Sequence, residues 1–340
     1  VVRHRSACPA LWDDVTEAYV HLVPAVKTQK TTIMKLIHIS LIITITFIAC
    51  NRHTVPTAAA QTTAPVQATE YKDAAGNTNL LGKTPRERLT QAPFDAWFNK
   101  NYTDYTIDTN TANQLKPLLK NKQFVIYMGT WCGDSRREVP RMYKLLDYCG
   151  VKPSQIQVIN VNNHDSAYKQ SPQHEERGQY IFKVPDLLVY ENNKEKGRIV
   201  ETPVATLEKD LLVIADNKGY APKYPGIAYL INLMQSPQWM PTKATLEQSA
   251  EQLRTLITNW GELASFGRVL LTGGETDKAI DAMRINTILF PAEPGAHNYL
   301  ATAYVKKGNT KAARECCEKV LQMQPGNQQA IAMLNQLNKQ

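Results

Sequence analysis

A compact apolar run, Phe124-Val125-Ile126-Tyr127-Met128, has the pattern of a strand buried on both faces. Beyond Gly129–Ser135, the residues Val139, Met142, Tyr143, Leu145, Leu146 and Tyr148 recur at helical spacing, which predicts a long amphipathic helix. Gln155–Val161 predicts a second buried strand. Tyr105–Asp108 predicts a short strand and Asn113–Lys120 a helix interrupted by Pro117. Together these alternating elements predict an α/β domain. From Pro225 the strand signals stop, and residues 225–340 read as an all-α domain.

That helical tail repeats itself at an offset of 34 residues: Leu270 with Tyr304, Gly274 with Gly308, Ala279 with Ala313, Pro291 with Pro325. The clearer copy, Pro294–Asn327, carries Leu300, Ala301, Tyr304, Gly308, Ala313, Val320 and Pro325. The earlier one, Trp260–Glu293, keeps Phe266, Gly267, Leu270, Gly274, Ala279 and Pro291. Period and residue types resemble the tetratricopeptide (TPR) helix–turn–helix repeat, which implies either a peptide or protein partner for the tail or, in so short an array, a purely structural packing role. Two repeats need flanking helices to cover their ends, and Ile227–Leu233, Leu246–Ile257 and Ala330–Leu337 have the pattern to do so.

At the other end of the sequence, Met34-Lys35 opens an apolar run that stops at Phe47-Ile48-Ala49-Cys50. The run is short for a membrane span and has the layout of an export signal. Its last four residues resemble a bacterial lipobox, which implies lipidation of Cys50, tethering to a membrane and a cell-envelope location facing the periplasm or the exterior. Residues 34–50 are then a signal peptide, and residues 1–33, upstream of Met34, read either as an extension outside the native protein or as a cytoplasmic extension of it. Residues 51–83, poor in large apolar side chains through Thr54–Gly76, predict a flexible tether.

Charge changes this picture little. The net charge of +8 over 340 residues falls to +6 when residues 1–49 leave with five Lys/Arg and three Asp/Glu. The basic residues are interspersed with acids, so nucleic acid is excluded as a partner. The six cysteines (Cys8, Cys50, Cys132, Cys149, Cys316 and Cys317) share no metal-ligand spacing. His164, His174, Glu175 and Glu176, within the segment His164–Lys183, read as a solvated insertion, and no metal or cofactor is expected. Cys149 lies 17 residues beyond Cys132 along the helix, roughly 25 Å away, and reads as a buried filler. Cys316 reads as a surface residue and Cys317 as core.

Cys132 stands apart, because a strand leads into it and a helix begins directly after it. Unpaired N–H groups and the helix dipole at such a turn favour a thiolate. Trp131-Cys132-Gly133-Asp134-Ser135, Pro140 eight residues after the cysteine, and Val184-Pro185 resemble the thioredoxin family. The resemblance implies a thioredoxin-like α/β fold over residues 84–220, a central mixed sheet flanked by helices on both faces, with Val184–Tyr190 as the proline strand, Gly197–Glu201 as the strand paired with it and Leu207–Asp216 as the closing helix. It also implies Cys132 as nucleophile, Trp131 packed beside it, and Pro185 holding a substrate backbone against it. Three positions depart from the family pattern. Ser135 replaces the resolving cysteine, Ile126 replaces a buried acid, and Asp134 sets a negative charge beside the thiol, with Arg136 and Arg137 near enough in sequence to counter it. The chemistry implied is that of a monothiol thiol–disulfide oxidoreductase or isomerase acting on protein thiols or disulfides, with Ser135 hydrogen-bonding the thiolate. The other reading is a non-catalytic interaction scaffold built on a degenerate thioredoxin fold and TPR-like repeats.

Overall fold

The computed structural model describes residues 68–339. The expected signal peptide, the upstream extension and Cys50 lie outside these residues. Six strands form one sheet: β1 (Thr69–Lys72), β2 (Thr78–Lys83), β3 (Gln123–Met128), β4 (Ile156–Asn160), β5 (Asp186–Glu191) and β6 (Lys194–Val200). Their spatial order is β1-β2-β4-β3-β5-β6, with β3 and β4 parallel and every other neighbouring pair antiparallel. Five helices belong to this half: α1 (Arg86–Leu89), α2 (Asp95–Asp104), α3 (Thr109–Leu118), α4 (Gly133–Tyr148) and α5 (Leu207–Ala215).

β3 shows why its sequence is apolar throughout. Phe124, Ile126 and Met128 point to a core shared with Phe98 of α2, Leu115 of α3, Met142 and Leu146 of α4, and Leu211 of α5. Tyr127 points the other way, into a smaller cluster with Ile159, Val161, Ile181, Val184 and Leu188. On that second face lies the segment between β4 and β5, whose Glu175 carbonyl accepts a 2.6 Å bond from the Tyr127 hydroxyl. Pro140 sits inside α4 and cannot donate to the carbonyl of Arg136. The Asn101 side chain of α2 donates to that carbonyl instead, at 3.2 Å.

Two local expectations are corrected. Strand pairing reaches back into the stretch expected to be tether, since Thr69–Lys72 and Thr78–Lys83 form a hairpin whose Leu80 is fully buried. Tyr105–Asp108 is no strand. Its β-type residues are used by side chain: the Tyr105 hydroxyl donates to Glu208 at 2.7 Å, and the Asp108 carboxylate caps α3 through the amides of Asn110 and Thr111.

The tail is seven helices: α6 (Pro225–Gln235), α7 (Lys243–Leu253), α8 (Trp260–Thr272), α9 (Thr276–Leu289), α10 (Pro294–Lys307), α11 (Thr310–Met323) and α12 (Gln328–Leu337). Successive helices from α8 to α12 pack against one another, in the manner of tetratricopeptide repeats. Gly308 ends α10 in the left-handed region at φ 79°, which a side chain would disfavour. Cys316, expected at the surface, is buried in one cluster with Cys317, Val320, Leu300 and Ala330, because α12 covers that side of α11.

A further core joins the two halves. Tyr180, Phe182 and Val200 of the sheet half share a cluster with Ile227, Leu253, Leu263 and Phe266 of the tail. The Phe182 ring meets Tyr224 at 5.5 Å and Phe266 at 6.2 Å, both edge-on.

Candidate functional site

β3 delivers Gly129-Thr130-Trp131-Cys132 to the start of α4, and Cys132 is the residue that caps the helix. Its carbonyl accepts the first helical bond, from Arg136 at 3.0 Å, and its amide donates to Gly129 at 2.9 Å. The thiol is half-buried and donates to the carbonyl of Val184 at 3.3 Å, next to the cis peptide bond that precedes Pro185. The turn and the proline loop, 52 residues apart in sequence, therefore meet at this sulfur.

Ser135 does not share the sulfur. It is fully buried, and its hydroxyl accepts from the amide of Gly129 at 3.3 Å, closing the turn on itself. Trp131 lies alongside, its indole N–H donating to the Val161 carbonyl at 2.9 Å. A Cβ on Gly129 would fall 2.3 Å from that indole, so glycine is required where the ring folds back over the turn. Thr130 ties the turn to β2: its hydroxyl donates to Asn79 and accepts from the amide of Leu80, each at 3.0 Å. Asp134 is neutralised locally by Arg137 at 2.7 Å, and Arg136 donates to the Thr130 carbonyl.

Lys169 completes the site, and sequence reasoning did not single it out. It comes from the segment between β4 and β5, and the residue is only 5 % exposed. Its ammonium lies 4.3 Å from the centre of the Trp131 ring and 5.1 Å from that of Tyr168. Burial lowers its pKa to about 8, and the neighbouring Cys132 works in the opposite direction. The signal that could have found it is the flanking sequence. An isolated lysine beside an aromatic, in a stretch otherwise polar, is where a cation–π contact forms.

The tail holds this segment in place. The Arg268 guanidinium of α8 stacks 3.7 Å over the Tyr168 ring and pairs with Asp165 at 2.7 Å. The Thr272 hydroxyl donates to the Tyr168 carbonyl at 3.1 Å, and Gln170 donates to the Thr272 carbonyl at 2.7 Å. Glu201, beyond β6, accepts from Lys223 at 3.1 Å and from the Tyr224 hydroxyl. Although burial alone would raise its pKa, these donors hold the carboxyl below its usual range.

The other candidates lie apart from the sulfur or serve packing. The Cys149 thiol is buried and donates to the Ala112 carbonyl at 3.6 Å. His174 contacts Glu176 at 3.4 Å and Ser171 donates to Glu175 at 2.6 Å, while His164 bonds Ser166 at 3.0 Å. Among the described residues no group of three or more His, Cys, Asp or Glu side chains is placed to hold a metal ion. No helix among them is long and apolar enough to cross a membrane.

A tetratricopeptide-repeat family model matches residues 294–327, the span of α10 and α11 with the turn after them. No curated protein matches the chain.

Proposed function

We propose that the protein is an interaction scaffold, in which TPR-like helices dock a polypeptide partner and the thioredoxin-like half forms one wall of the platform. The observation that carries this reading is the repeat match at residues 294–327 on helices that pack successively, with one end of the array sealed against the sheet half. Repeats so arranged expose a continuous helical surface to a partner. Ser135 in place of a second thiol agrees with a domain freed from dithiol turnover. The test is selection of displayed peptides against the full chain, followed by calorimetry. Binding lost in Lys306→Glu or Val305→Arg and kept in Cys132→Ser supports the scaffold. Binding indifferent to both α10 substitutions sinks it.

A second reading is favoured by one observation, the half-buried Cys132 thiol set against the Val184 carbonyl and the cis-proline loop. In it, Cys132 performs monothiol exchange. The thiolate attacks one sulfur of a substrate disulfide, a new S–S bond forms as the old one breaks, and the departing thiolate takes a proton from water. A second substrate thiol or an external thiol then releases Cys132 by the reverse displacement. Ser135 supports the turn, Trp131 walls the site and Pro185 borders the substrate strand. Incubation with glutathione disulfide is the check: one glutathionyl adduct on Cys132 with one equivalent of glutathione released supports exchange, and an unmodified thiol overturns it.

For either reading the expected setting is the cell envelope, with Cys50 lipidated and no nucleic acid involved. Cys50→Ser should move the protein from the membrane fraction to the soluble one, and an unchanged distribution would remove the anchor.

A further inference from the structure

Lys169 has no conventional partner. Among the described residues no carboxylate lies within ion-pair distance of its ammonium, although the charged groups around it are paired elsewhere. Lys183 reaches Glu201 at 3.9 Å, and Glu201 also takes Lys223 and Tyr224. Arg268 holds Asp165 at 2.7 Å, and Asp134 is held by Arg137 at 2.7 Å. The ammonium lies over the faces of Trp131, the residue before Cys132, at 4.3 Å and of Tyr168 at 5.1 Å. A buried cation left over from this pairing is costly unless an anion joins it.

The backbone at Lys169 is built for the placement. The residue sits in the left-handed region at φ 58°, an uncommon conformation for a side chain of this type. Its amide donates to the Asn162 carbonyl at 2.9 Å, and the Asn162 amide donates to Gln170 at the same distance, which closes the loop into a tight collar. Gln170 is fastened in turn to α8.

Cys132 has the complementary need. Its protonated thiol donates to the Val184 carbonyl at 3.3 Å, and ionisation would exchange that bond for repulsion from the carbonyl oxygen. The first turn of α4 offsets part of this, with Asp134 already neutralised.

We propose that Lys169 is the charge partner of Cys132: the buried ammonium stabilises the thiolate, and stands where a substrate's departing thiolate would also need positive charge. This rests on the exchange reading for its use, but not for its test. The Lys169 contribution is electrostatic and carries no proton transfer of its own.

The experiment follows iodoacetamide alkylation of the Cys132 peptide by mass spectrometry, across pH, in the full chain. Lys169→Met should raise the midpoint by about one unit and slow alkylation near neutral pH about tenfold, while Lys169→Arg keeps most of the wild-type profile. An unchanged midpoint in Lys169→Met overturns the pairing. If that variant does not fold, the reciprocal measurement decides, an NMR titration of ¹³Cε-labelled lysine in wild type and Cys132→Ser. Loss of the thiolate should lower the Lys169 midpoint, and an unmoved midpoint overturns the proposal. Alkylation needs no substrate disulfide, so a Lys169-dependent midpoint in a protein inert to glutathione disulfide would end the exchange reading and leave the pair standing. Exchange with a Lys169-independent midpoint would do the opposite.

Discussion

The Arg268 guanidinium lies 3.7 Å over the ring of Tyr168, so a helix of the tail presses on the loop that carries Lys169 onto Trp131, the residue before Cys132. Two further bonds, Thr272 to the Tyr168 carbonyl and Gln170 to the Thr272 carbonyl, run parallel to that contact. The tail therefore bears on the order of the thiol site.

Arg268→Ala should loosen this loop without unfolding the protein. Partly desolvated cation–π contacts are worth about 0.5–2 kcal/mol, and the paired Asp165 is exposed and adds little. Hydrogen–deuterium exchange should rise in peptides covering residues 162–183 and stay unchanged in β3 and α4. Uniform exchange in the variant and the wild type would show that the hydrogen bonds hold the loop alone.

Of the four cysteines among the described residues, Cys132 should react alone in the native state. Burial pushes Cys149 to about 11 and Cys316 to about 12, and it raises Cys317 as well. Peptide mapping after brief native alkylation should find the Cys132 adduct, with the other three labelled only after denaturation. Early modification of Cys149 or Cys316 would mean that α4 or α11 opens locally.

Much of this was readable in sequence wherever a pattern is local. The β3 run, the helical spacing of Val139 to Tyr148, and the 34-residue echo from Leu270 to Tyr304 depend only on near neighbours. Val184-Pro185 was legible as a landmark, and the structure brings it to Cys132. What stayed hidden depends on distant partners. Thr78–Lys83 looks like tether until Leu80 is buried and Asn79 meets Thr130. Tyr105 has strand propensity, but Glu208, far along the chain, claims its hydroxyl. Lys169 gains meaning only when the collar folds it onto Trp131, and Cys316 only when α12 covers it.

Asp186 should give stability a distinctive pH dependence. It is fully buried, and burial raises its pKa to about 7 despite Arg198 at 3.3 Å. Folded Asp186 keeps its proton through a range where the unfolded chain has released it. Its contribution therefore makes stability fall as pH rises from 3.8 towards about 7, with the cost fully present above that. Asp186→Asn should remove this slope. Arg198 would keep Glu195 at 2.7 Å and the Gln179 carbonyl at 2.8 Å, so the variant should not orphan a charge. Urea unfolding at pH 5 and pH 8 should show the variant gaining relative to wild type at the higher pH, and a constant difference would refute the assignment.

Gly267→Ala tests the closeness of the first repeat pair. A Cβ there would lie 2.7 Å from Met283 Cε and 2.9 Å from its Cγ, where α8 meets α9. The methyl end of a methionine can swing aside, but Cγ cannot move without shifting the side chain from its base. Overpacking of this kind costs about 1–3 kcal/mol. The melting temperature should fall, while Ala301→Gly, at the equivalent position 34 residues on, should cost less than a comparable large truncation because it removes a single methyl.

Lys169→Met separates the structural cost of the buried lysine from its electrostatic use. Burial lowers the ammonium's pKa from 10.5 to about 8, so folding is penalised fully below pH 8 and the penalty is relieved as pH rises towards 10.5. Methionine fills similar volume between Trp131 and Tyr168 and needs no charge partner. At pH 7 the variant should be more stable by up to about 3 kcal/mol, less whatever the two aromatic faces return to the cation. The advantage should shrink above pH 9. Denaturant unfolding at pH 7 and pH 10 makes the comparison directly. A variant that is more stable and yet slower to alkylate at Cys132 is the signature of a residue retained for charge at the expense of stability. A variant that is less stable at both pH values would instead make Lys169 a packing residue, held by its stem.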